Sequence, residues 1–164
     1  YIRIKINHIT DPVMVKKLYE ASANGVPIDL VVRGNCSLVT GIPGKSDTIR
    51  IVGIIDRYLE HARIFQFCAG GENKMFIGSA DWMPRNLNNR VEVVTPIYSP
   101  AIKKDLEEVI DYALQDTLQG RVVDGTGCNH PWQTEDGLPF RSQQALYEKY
   151  SRTVPAEKEL LPSD

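Results

Sequence analysis

No run of the sequence reaches the length of about 18 apolar residues that crosses a membrane, and no charged-plus-apolar leader opens it. An initiator methionine is also missing: the chain starts at Tyr1, directly in a strand-like pattern, and is expected to be a piece of something longer. Cysteine is scarce. Cys36, Cys68 and Cys128 form no CxxC pair. Their odd number and wide spacing argue against a disulfide framework and for reduced thiols in a cytoplasmic protein. A surplus of charge of one sign is lacking too, because 19 Lys and Arg against 21 Asp and Glu leave a net charge of −2. That removes any global attraction to polyanions and, with it, nucleic acid as an expected partner. A phosphate site would have to come from a local cluster of arginines. There are no internal repeats and no low-complexity segments.

What is present belongs to an ordinary globular protein: 42% hydrophobic and 24% charged residues in a 164-residue chain. That length fits one domain, or one domain with a tail. Ile2, Ile4 and Ile6 alternate with polar neighbours as in a half-buried strand. Asp11-Pro12 is a helix start, with Asp as N-cap and Pro in the first turn. Asn24-Gly25 is the matching stop. IDLVV, 28–32, is a buried parallel-type strand. IFQF and KMFIG read as a hairpin around CAGGEN. Strands are expected near 1–6, 28–33, 64–68, 74–78 and 91–97. Helices are expected near 12–23 and 100–118, the second capped by Ser99-Pro100. IRIVGIIDRYLEHAR starts as a strand and is read as passing into a short helix that ends near His61. After Gly120 periodicity fades; SQQALYEKY suggests one last short helix, and 154–164 is expected to fray. The fold class is therefore α/β, a mixed sheet flanked by helices, in a domain over 1–119 with 120–164 as its partly irregular extension.

Three residues carry the chemistry. Arg33 stands where a strand ends and a loop begins, the usual place for a site in an α/β sheet, and its guanidinium suits phosphate oxygens. The plainer reading is a surface arginine paired with an acid. His61 is read as following a helix, where a C-terminal dipole favours histidine whatever its job. His8 has a weaker case, and His130 beside Cys128 makes a poor zinc signature. The stretch KMFIGSADWMPRNLNNRVEV, 74–93, packs Ser79, Asp81, Trp82, three asparagines and Arg90 between two strands. Turn chemistry alone would account for Asp81 and the asparagines.

IGSADWMPRN followed by RVEV resembles the Gly-Ser-x-Asn region of the phospholipase D superfamily. The chain lacks that superfamily's His-x-Lys motif; His61-Ala62-Arg63 is the nearest sequence, Cys68 stands where its Asp would fall, and Asp81 replaces the Asn. A longer series of motifs, VVRG, DRYLEH, GSADWM and NNRVEV in that order, resembles the C-terminal part of bacterial polyphosphate kinase. The resemblance implies a phospholipase-D-like domain, the second of two in the catalytic half of an enzyme that transfers the terminal phosphate of ATP reversibly to inorganic polyphosphate. It implies a phosphohistidine in the other such domain, outside this chain. It gives Arg33 and His61 as ATP- and phosphate-binding residues, His61 also as catalytic, and Arg90 as a further phosphate contact. Trp82 would serve as a wall or pack against the neighbouring domain. Magnesium would be bound mainly by ATP and the missing part, with no metal ligand in this chain. The implied partners are ATP or ADP, polyphosphate, the rest of the polypeptide and further copies of the enzyme, with membrane association possible for the whole. The alternatives are a phospholipase-D-like phosphodiesterase and a non-catalytic module that binds polyphosphate or nucleotide.

Overall fold

The computed structural model describes residues 1–152. The chain forms β1 (Ile2–Ile6), α1 (Pro12–Ala23), β2 (Ile28–Val32), β3 (Ile49–Ile54), β4 (Ile64–Phe67), β5 (Lys74–Gly78), α2 (Pro84–Asn89), β6 (Val94–Ile97), α3 (Pro100–Leu114), β7 (Gly120–Val122) and α4 (Ser142–Ser151). One seven-stranded sheet results, in the order β6-β5-β4-β1-β2-β3-β7. β1, β2 and β3 are parallel; β4, β5, β6 and β7 join antiparallel.

The central strands are apolar on both faces because both are covered. Ile28, Leu30 and Val32 of β2 join Ile4, Ile6, Ile51 and Leu18 in one core, with Met14 and Val15 of α1 packed on it. Val31 faces the other way, with Val52, Ile54 and Ala113 of α3. Ile110 of α3 packs on Ile64 and Met75 of the same outer side. Lys149 of α4 makes ion pairs with Asp105 and Glu108 and so ties α4 to α3.

The expected caps form. Asp11 accepts hydrogen bonds from Val13 N–H at 3.0 Å and Met14 N–H at 2.9 Å, contacts of a kind worth about 1 kcal/mol. α1 stops at Asn24, and Gly25 takes φ +79°, where a side chain would be strained.

Four expectations are corrected. Residues 55–63 contain no helix. Their polar groups are held by distant ones: Tyr58 N–H donates to Gln143 Oε1 at 2.7 Å, Gln143 Nε2 returns a bond to Tyr58 O at 2.8 Å, and Arg141 holds Asp56. α3 ends at Leu114 rather than 118, because Thr117 and Leu118 turn their N–H groups to Phe140 O. β6 starts at Val94, and Val91 is 99% exposed, so the 91–93 stretch approaches the sheet without joining it. The tract after Gly120 does rejoin the sheet, as β7 against β3. The expectation for 154–164 lies outside the described residues.

Candidate functional site

The register gathers seven chain ends at one edge. The parallel strands β1–β3 end there. Pairing of Lys5 with Ile64, Ile64 with Ile77, Gly78 with Val94 and Ile54 with Gly120 brings the start of β4, the end of β5 and the starts of β6 and β7 to the same edge. Arg33 follows β2, His61 precedes β4 and Arg90 precedes β6. All three sequence candidates thus stand at the carboxyl edge of the parallel strands, where open α/β sheets place their ligands.

Arg33 and His61 are joined by a continuous polar chain. Arg33 is half-buried, and its Nε donates to Asn7 Oδ1 at 2.8 Å; its partner is an amide, not the acid that the plainer reading supposed. The backbone N–H groups of Asn7 and His8 donate to Asp81 Oδ1 at 3.1 and 3.2 Å. Asp81 in turn holds Arg63: Nη2 to Oδ2 is 2.9 Å and Nε to Oδ1 is 3.3 Å. Arg63 closes the chain on His61, with Nη1 donating to its carbonyl at 2.9 Å and Nη2 lying 3.0 Å from its Nε2. A guanidinium only donates. In the neutral ring Nε2 therefore accepts, which assigns the proton to Nδ1.

Burial would raise the Asp81 carboxyl. The hydrogen bond and charge of Arg63, with the bonds from His8 and Asn7, outweigh it and hold Asp81 below the ordinary carboxylate value. Close packing of two loops supports this arrangement. A Cβ on Gly34 would lie 2.4 Å from His8 Cε1, so any larger residue there would push the His8 ring out of its place between the loops after β1 and β2. His8 Nδ1 there accepts from Asn35 N–H at 2.9 Å.

The polar stretch after β5 has a definite job. Ser79 Oγ bonds the Glu92 carboxylate and accepts Val93 N–H at 3.0 Å. Asn86, buried at the start of α2, donates to Glu92 Oε1 at 2.7 Å. These two side chains, then the charges of Arg90 and Arg63, hold the Glu92 carboxyl below its usual range. Arg90 itself is exposed. Ser79, Asp81 and Asn86 thus brace the loop. Asn88 and Asn89 stand exposed on α2. Trp82 is not a solvent-facing wall. It is 8% exposed and stacks on Phe65 with ring centres 5.6 Å apart.

Beside His61 opens a cavity of about 510 Å³, with Arg63 and Ser79 at its rim and Ile64, Ile77, Leu106 and Val109 among its apolar walls. Between Arg33 and Ala62 lies a second void of about 10 Å³, bounded by Lys5 and Glu60, which form an ion pair at 2.5 Å. Asn7, whose buried Nδ2 has no partner among the described residues, borders that void, which has room for about one water.

Arg63, Asn7 and Glu92 were not singled out as site residues in the sequence. Arg63 had a usable signal, since it stands two positions after His61 and leads into β4. Asn7 and Glu92 had none, because their roles depend on partners 26 positions away for Asn7 and 13 for Glu92.

Residues 1–143 match the family model described as polyphosphate kinase C-terminal domain 2. The polyphosphate kinase of Thermosynechococcus vestitus is 52% identical over 142 residues, covering 87% of this chain and 19% of that protein. The crystal structure of polyphosphate kinase from Porphyromonas gingivalis superimposes with a TM-score of 0.87 at 38% identity, over 93% of this chain and 24% of that one. Nuc from Salmonella typhimurium, a phospholipase D family member, superimposes at 0.57 with 17% identity over 76% of this chain and 82% of that one, a likeness of fold alone. The chain spans about a fifth of the length of the curated relatives it matches.

Proposed function

The chain belongs to the polyphosphate kinase C-terminal domain family, and on that premise we propose that it supplies the nucleotide-phosphate side of a reversible transfer from ATP to inorganic polyphosphate. In this reading the phosphoryl-accepting histidine belongs to another part of a longer polypeptide. The bond between the β,γ-bridging oxygen and the γ-phosphorus breaks, a P–N bond forms at that histidine, and ADP leaves with the bond's electron pair. Polyphosphate then takes the phosphoryl group from the histidine.

One observation supports this most: the hydrogen-bonded chain that holds Arg33 and His61 together at one sheet edge. Phosphoryl transfer asks mainly for positioning and for positive charge around the moving group. Arg33 has its Nε anchored on Asn7, and its two terminal nitrogens remain to fork onto phosphate oxygens. His61 has its Nε2 engaged by Arg63, so its Nδ1–H is the group that can donate to the departing or bridging oxygen. Arg90, exposed beside Glu92, would add charge from the opposite end of the edge.

The site's carboxylates are already engaged: Asp81 by Arg63, Glu60 by Lys5, Glu92 by Ser79 and Asn86. Among the described residues no cluster suited to a metal ion occurs. The residues present do not fit a resident magnesium, which in this reading arrives with ATP and the rest of the polypeptide. The phosphodiesterase reading is disfavoured by Arg63, which fills the place of the superfamily's lysine but is locked to Asp81. No helix among the described residues is long and apolar enough to cross a membrane.

Titrating ATP against the chain tests the proposal. ATP should bind, and Arg33→Ala should weaken it by at least tenfold. Equal binding by wild type and Arg33→Ala would refute the assignment.

A further inference from the structure

Arg33 borders a third space, on the side away from His61. This cavity of about 370 Å³ lies between the ends of β2 and β3 and the strand β7, with Arg33, Gly34, Ile55, Gln119, Arg121 and Asn129 on its walls. Its size is that of a small-molecule site. Arg3, Arg50, Arg63 and Arg141 each hold a carboxylate. Arg33 and Arg121 hold none among the described residues. Arg121 has only backbone carbonyls as acceptors, Gly120 O at 2.7 Å and Leu118 O at 3.3 Å. Among the described residues no acidic side chain lines the cavity. Asp124, next to the wall residue Val123, turns into its own loop and accepts from Thr126 N–H at 2.9 Å and Thr126 Oγ1 at 2.7 Å.

Two guanidinium groups on one cavity with no counter-charge repel each other, and a bound polyanion would reverse the sign of that interaction. The other polar side chains on the wall, Gln119 and Asn129, can donate through their amides. Among the described residues no aromatic ring lines the space, so they offer no platform for a nucleobase. We infer that this cavity binds an inorganic oligophosphate, clamped between Arg33 and Arg121. Its identity as oligophosphate rests on the transfer reaction proposed above. Arg33 is then shared, with ATP phosphates on its His61 side and the inorganic chain on its β7 side. Arg121 is the residue that distinguishes the two.

Calorimetric titration of the chain with tripolyphosphate at low salt, with ATP titrated in parallel, tests the inference. Tripolyphosphate should bind the wild type. Arg121→Gln should weaken it at least tenfold, and Arg121→Lys less. Ile55→Glu guards against a folding artefact: residue 55 is 76% exposed, so the change adds a negative charge to the wall without emptying a core position. It too should weaken tripolyphosphate at least tenfold. Unchanged binding in both Arg121→Gln and Ile55→Glu, or no binding by the wild type, overturns the inference. So does equal displacement by sulfate at matched charge, which would reduce the cavity to a general anion site. The two proposals fail separately. ATP binding indifferent to Arg33→Ala removes the proposed function, while an Arg121-dependent tripolyphosphate site would survive it.

Discussion

Arg63 and Asp81, 18 positions apart, form a buried ion pair with Nη2 and Oδ2 at 2.9 Å and each side chain 7% exposed. The pair occupies the point where β4 enters the sheet and the chain leaves β5. Arg63 and Phe65 lie on the same face of the β4 chain, and they meet the consecutive residues Asp81 and Trp82, one by charge and one by ring stacking. The same guanidinium reaches His61, so the fold's anchor and the ring's orientation share one side chain.

Removing the charge should therefore destabilise the domain in a pH-dependent way. Asp81→Asn leaves Arg63 buried without its counter-ion, and a loss of about 3 kcal/mol is expected at pH 7. The sign follows from the lowered carboxyl. A carboxylate whose folded value lies below its unfolded value of about 3.9 contributes stability that is fully present above that value. It is lost as pH falls through the folded value. Urea unfolding of wild type and variant should thus differ most near neutrality and converge below about pH 4. A gap that stays constant down to pH 3 would contradict the assigned role.

The orientation of His61 can be read directly. In the chain labelled with ¹⁵N, long-range ¹⁵N–¹H correlation at pH 8 should show Nδ1 protonated and Nε2 as the acceptor. Arg63→Met should release that preference and populate the other tautomer. A wild-type ring protonated on Nε2 would remove Arg63 as its positioning residue.

Trp82 should behave as core. Trp82→Ala is expected to cost about 3–5 kcal/mol in denaturant unfolding, the range for emptying a large aromatic site. A loss under 1 kcal/mol would contradict this core role.

Much of this was legible in the sequence, and the failures share a cause. β1, β2, the β4–β5 hairpin and both capped helices follow from alternation, buried apolar runs and capping residues, which are local properties. The segment 55–63 misleads because its local pattern suits a helix, while its shape is set by Arg141 and Gln143, 85 positions later. The valines at 91 and 93 misled similarly. β-branched composition suggests a strand, but Val91 faces solvent and Val93 N–H is taken by a serine hydroxyl. At the site, Arg33 and His61 were singled out by their position and, together with Arg90, by motif resemblance. The Arg63–Asp81 pair that links His61 to the loop after β1 was hidden, because nothing in the sequence announces which arginine meets which acid.

The proposed catalytic division of labour makes the sharpest claim. Incubated with labelled ATP and magnesium, this chain should take up no phosphate, since in this reading its histidines position and donate but do not accept the phosphoryl group. In the full-length enzyme, His61→Ala should lower polyphosphate synthesis by about 10²–10⁴, the range for a lost proton donor. Because His61 is exposed, the same change should move unfolding by no more than about 0.5 kcal/mol, so the loss would mark chemistry rather than folding. Arg33→Ala should act differently. Losing charge-assisted contacts worth about 1.5–3 kcal/mol should raise the KM for ATP by about 10- to 150-fold. A shift carried wholly in kcat would instead place Arg33 in the transition state alone. Robust self-phosphorylation of this chain, or near-normal synthesis by the His61→Ala enzyme, would overturn the assignment of His61 as donor to a phosphoryl group accepted elsewhere.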